Sequence, residues 1–174
     1  MSGPTLENFA KPPGFVTGGC LCGSIRYRID FPKDHDFLKS SGSCQCTQCR
    51  RSTGSLFFAS HTIPVKSLTY TTPSETLKNF VATPGYQRGI CTNCGSFLYW
   101  RDESCEQYEL AVGCIDPEWL VGKEGFGFAL ANMSGPNVWC QNEIPGVTDT
   151  MIGKDHGCKF ATSGSDAQQW SPLY

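Results

Sequence analysis

The sequence predicts a mainly β domain of folded-over antiparallel sheets, sandwich-like, with few short helices. Three observations predict it. Gly23–Phe31 (GSIRYRIDF) alternates cleanly, with Ile25, Tyr27, Ile29 and Phe31 on one face and Ser24, Arg26, Arg28 and Asp30 on the other, the pattern of a half-buried antiparallel strand. Further short strand candidates recur at intervals of roughly ten residues, with Gly, Pro or Asn between most of them. No helical periodicity runs convincingly beyond about two turns.

Taken in order, residues 1–14 are rich in Pro and Gly and read as an N-terminal arm. The strand at 23–31 follows, then a polar Gly/Ser-rich loop over 32–43. Cys44–Thr53 can open a short helix, and Leu56–Ile63 reads as a strand stopped by Pro64. Strands are expected at Ser67–Thr71, Thr76–Ala82, Tyr86–Ile90, Ser96–Arg101 and Gln107–Ile115. Asp116-Pro117-Glu118-Trp119-Leu120 reads as one helical turn, with Asp116 as N-cap and Pro117 at the first position. The expected organisation is one domain over 15–160 and a polar tail over 161–174.

The chain of 174 residues is long enough to bury a core without disulfide staples. A net charge of −2 does not suit a surface built to neutralise phosphates, so neither nucleic acid nor an anionic membrane is an expected partner. No apolar run approaches the length of a membrane span. The start MSGPTLENFAKPPGF has neither a basic region nor an apolar core, so a cytoplasmic chain is expected.

Eleven cysteines without a secretory signal favour thiolate chemistry or metal over disulfides. Seven fall into three tight groups: Cys20 and Cys22, then Cys44, Cys46 and Cys49, then Cys91 and Cys94 followed by Gly95. A CxxC turn sets two sulfurs at the separation a tetrahedral zinc requires, and all-thiolate sites select zinc or iron–sulfur over harder ions. Buried free thiols do not explain pairing at i+2 and i+3 three times over. A CxC disulfide closes a strained ring, and no thioredoxin-like βαβ pattern surrounds these motifs. Zinc is the economical reading. Seven ligands divide as four plus three, although spacing alone leaves open which groups share a metal. Three protein ligands leave one coordination position for water or substrate.

The segments GGCLCGSIRYRI, CQCTQCRRSTGS and YQRGICTNCGSFLYW resemble the glutathione-dependent formaldehyde-activating enzyme family, also called the centromere protein V domain family, from about Gly18 to Trp119. The resemblance implies a mainly β fold with two zinc sites. It assigns Cys20, Cys22, Cys91 and Cys94 to a structural zinc, and Cys44, Cys46 and Cys49 to a catalytic one. It implies a carbon–sulfur lyase reaction between glutathione, as co-substrate, and formaldehyde through an S-hydroxymethyl adduct. Two departures bear on this. Relatives often carry His where this chain has Gln45, and a His-bearing strand where it has Asn137–Cys140. Neither Gln nor Asn shuttles a proton.

Three thiolates on a dication leave a net charge of −1. Arg50 and Arg51, directly after Cys49, are candidates to offset it or to clamp a substrate carboxylate. His61 is a candidate to line the site, and Tyr86 and Arg88 to face a substrate. Cys105, Cys114, Cys140 and Cys158 lack partners at ligand spacing and read as small buried apolar groups. Trp100, Trp119 and Trp139 are expected in the core. The competing reading is a zinc-stabilised binding module without catalysis, and a further variant is a lyase or isomerase acting on another metabolite.

Overall fold

The structure, a computed structural model, describes residues 12–121, 126–152 and 158–163. Most of the expected arm and tail lies outside the described residues. Among the described residues, eleven strands build two sheets. The smaller holds β1 (Phe15–Gly19), β2 (Arg26–Asp30) and β5 (Leu68–Tyr70), all antiparallel. The alternation read from the sequence is the packing of β2, where Ile25, Tyr27 and Ile29 are buried and Arg28 is not.

The larger sheet runs β11-β10-β3-β4-β9-β8-β7-β6. Its members are β3 (Ser41–Cys44), β4 (Phe58–Pro64), β6 (Leu77–Thr83), β7 (Tyr86–Cys91), β8 (Phe97–Asp102), β9 (Gln107–Ala111), β10 (Pro136–Val138) and β11 (Cys158–Lys159). Pairing is antiparallel except at β10, which lies parallel to both β3 and β11. Among the described residues, five short helices fill the connections: α1 (Phe37–Ser40), α2 (Thr47–Thr53), α3 (Pro117–Leu120), α4 (Gly127–Ala131) and α5 (Thr148–Met151). No helix among the described residues is long and apolar enough to cross a membrane.

Four strands fall outside the sequence reading: β1 and β11 have no expected counterpart, β3 falls almost wholly in the stretch read as loop, and β10 is only three residues long. Gly42 explains part of this. A Cβ there would stand 2.2 Å from the Pro136 carbonyl oxygen, so a residue of low strand propensity is what lets β10 approach β3. Asp116 does occupy the N-cap position of α3, but its side chain caps nothing. It takes Arg26 in a two-pronged ion pair and Thr17 Oγ1 at 2.6 Å, tying α3 to the small sheet.

Candidate metal centres and cavity

The β1–β2 turn carries Cys20 and Cys22, while Cys91 ends β7 and Cys94 lies in the turn that leads to β8. Gly95, at φ +78°, provides the left-handed bend that closes the second turn, and its amide donates to the Cys91 carbonyl at 2.8 Å. All four Sγ atoms lie within 4.8 Å of one another. Donors surround them: Ile25 N–H to Cys20 Sγ at 3.3 Å, and Asn93 Nδ2 to Cys22 Sγ at 3.3 Å. The cluster therefore stitches the hairpin of one sheet to the hairpin of the other.

The second cluster sits where β3 runs into α2. Cys44 ends the strand, Cys46 is the N-cap, and Cys49 lies in the first turn. The Cys46 sulfur accepts the Cys49 amide at 3.3 Å, as a capping side chain should. These three Sγ atoms also lie within 4.8 Å of one another, and no fourth His, Cys, Asp or Glu joins them among the described residues. The four-plus-three division is thus a matter of position in the fold.

Both donor sets fit a thiophilic dication. In the second cluster the Cys44 thiol donates to Cys46, which drops to about 2, while the same contact pushes Cys44 up to about 12; the contacts of Cys49 with Cys44 and Cys46 drive Cys49 higher still. In the first, the Ser24 hydroxyl lowers Cys22 to about 5, while burial raises Cys20 to about 11. In the absence of a cation, Cys20, Cys44 and Cys49 therefore hold their protons above the ordinary thiol range. A dication among them lets every sulfur shed its proton, the condition for tetrahedral thiolate ligation.

The three-cysteine cluster opens onto a cavity of about 760 Å³, whereas none of the four cysteines of the first cluster lines it. The floor is one face of the large sheet. Across it, Thr62 opposes Glu109, Glu109 opposes Trp100, and Trp100 opposes Arg88. Directly paired residues share a face, so all four line the cavity. Glu109 receives Ser60 Oγ at 2.6 Å and Thr62 Oγ1 at 2.8 Å, and burial pushes its carboxyl pKa up. Tyr86 stacks on Trp100 with ring centroids 5.4 Å apart. Trp139, at φ +61°, closes the opposite wall in a backbone conformation uncommon for a bulky residue.

Several expected site residues lie elsewhere. His61 alternates with Ser60 and Thr62 on β4 and so points to the other face. There its Nδ1 lies 3.0 Å from the Leu130 carbonyl oxygen and its Nε2 2.8 Å from His35 Nε2, among Phe31 and Phe37. Arg50 does not line the cavity. It donates to the carbonyls of Leu56 and Asn142, each at 2.7 Å, and to Gln45 Oε1 at 3.2 Å, bracing the exit of α2. Gln45 turns away from the cavity, and buried Asn137 staples β10 to β3 by accepting Ser43 Oγ at 2.7 Å. Neither position removes a proton carrier from the cavity. Trp100 and Trp139 line the cavity, while Trp119 packs against the core. Cys140 is buried and Cys114 partly so, but Cys105 is exposed; the Cys158 side chain lies outside the described residues. Glu109, Ser60 and Thr62 were missed. Their only signal was polar residues alternating on two strands, which is equally that of a solvated face.

The description glutathione-dependent formaldehyde-activating enzyme matches residues 15–125. A protein of Emericella nidulans provisionally given that name is 28% identical over 153 residues, covering 87% of this chain and 71% of its own. One from Aspergillus terreus, named likewise, is 20% identical over 86% of this chain and 71% of its own. A crystal structure of a Rhodobacter sphaeroides protein aligns with 58% of this chain and 88% of its own, at 21% identity and a TM-score of 0.48. The family match spans well over half the chain and contains all seven clustered cysteines, so the chain belongs to the glutathione-dependent formaldehyde-activating enzyme family.

Proposed function

We propose that this protein is a zinc-dependent enzyme that makes or breaks the carbon–sulfur bond of an S-hydroxymethyl thiol adduct, with glutathione as the thiol. The observation that carries the reading is the asymmetry of the clusters: four sulfurs away from the cavity, three in its wall. Cys20, Cys22, Cys91 and Cys94 would hold a structural zinc, and Cys44, Cys46 and Cys49 a second one. When bound there, zinc supplies Lewis acidity toward a sulfur or oxygen donor of the substrate.

The remaining work falls to the chain. In the cleavage direction Glu109 takes the proton of the adduct hydroxyl, the oxygen electrons form the carbonyl, and the carbon–sulfur bond breaks with its pair on sulfur. In the condensation direction the thiolate attacks the carbonyl carbon, and Glu109 returns the proton to oxygen. Ser60 and Thr62 hold the carboxyl in place, and a carboxyl raised by burial exchanges protons nearer neutral pH than a free one. Tyr86, Trp100 and Trp139 provide the walls that keep bulk water from the adduct.

The test is metal analysis paired with turnover of glutathione and formaldehyde. Cys49→Ser should lose one of two zinc ions per chain and all turnover while retaining the wild-type far-UV spectrum. Full turnover with one zinc missing would sink the reading.

A further inference from the structure

Beside the main cavity, on the far side of Arg88 and Gln48, lies a second hollow of about 300 Å³. Its walls include the exposed Arg51 and the buried Arg88, with Phe80 and Ala82 as apolar flanks, and no acidic residue lines it. Arg88 is 4% exposed and, among the described residues, makes no ion pair. Its Nη1 has no hydrogen-bond partner, and its Nη2 reaches only the amide oxygen of Gln48. A buried guanidinium without a counter-charge is costly, and a neutral amide oxygen is a weak substitute for a carboxylate. Gln48 itself is exposed, tethered at its other end by one 3.2 Å bond to Thr83 Oγ1. It can be displaced.

Resting on the thiol-adduct reading above, we infer that the Arg51–Arg88 hollow is the subsite for a substrate carboxylate, covered by Gln48, and that it selects carboxylated thiols over neutral ones. Placement favours this. Gln48 stands between Cys46 and Cys49, so a thiol at the three-cysteine cluster has its body within reach of Arg88. In the main cavity Arg88 shares the lining with Glu109 and Asp102, which repel a carboxylate, whereas no acidic residue lines the hollow. Arg51 and Arg88 both line the hollow, and Arg88 lines the main cavity as well. A ligand carboxylate replacing the Gln48 oxygen exchanges a neutral hydrogen bond for a charge-assisted one.

Calorimetric titration of the zinc-loaded protein with glutathione and with its diethyl ester tests this. Glutathione should bind about tenfold or more tighter than the ester, the scale of one charge-assisted contact. Arg51→Gln should weaken glutathione several-fold and leave the ester unchanged. Gln48→Glu supplies Arg88 with a built-in carboxylate and should erode the preference in the same way, without emptying a buried position as Arg88→Met would. Equal wild-type affinity for acid and ester, or variants that weaken both alike, would overturn the subsite while leaving the thiol-adduct reading intact. No binding of either thiol would overturn both.

Discussion

Glu109 puts a titratable group on the cavity floor, held by two hydroxyls and, among the described residues, in no ion pair. Burial holds its pKa above the ordinary carboxylate range, so in the cleavage direction activity should rise with pH through that raised value. Glu109→Gln keeps the shape and one acceptor oxygen. It should lower kcat by about 10²–10⁴-fold and flatten the acid limb of the pH–rate profile, a change that a purely structural role would not produce. Cys49→Ser and Cys91→Ser should separate in kind. The first should remove turnover and one metal; the second should prevent stable folding, measured as loss of a cooperative thermal transition, since Cys91 belongs to the cluster that joins both sheets.

At the scale of elements, the tie between β2 and α3 is the plainest target. Arg26 lowers the Asp116 pKa below its ordinary value, so the contribution of the pair is present above the unfolded carboxylate range and is lost as pH falls through the folded value. Asp116→Asn should cost about 1–2 kcal/mol in urea unfolding at pH 7, and the gap to wild type should close in acid. This pair also shows where the sequence was legible. Asp116-Pro117 marked a helix start, and the alternation of β2 marked Arg26 as polar-face, but their meeting across 90 residues had no local sign. The same division holds for the site. Spacing exposed the cysteines because ligand geometry is local, whereas Glu109 meets Ser60 and Thr62 only through strand pairing. β3 and β10 escaped because glycine and proline weaken strand signals that tertiary contact overrides.

For the whole molecule, the acid response should be set by the His35–His61 pair packed between the sheet and α1. Burial pushes His61 down to about 3, so the unfolded chain binds its proton first and stability should fall as pH drops below about 6.5. Thermal midpoints measured between pH 7 and pH 5 should decline, less steeply in His61→Gln. The parallel strand β10 has a consequence of a different sort. It carries Val138 and leads into Trp139 and Asn142, which wall the cavity although they lie beyond the stretch that matches the family. A substitution at Val138, Trp139 or Asn142 can therefore alter which molecules the cavity admits while leaving every clustered sulfur in place.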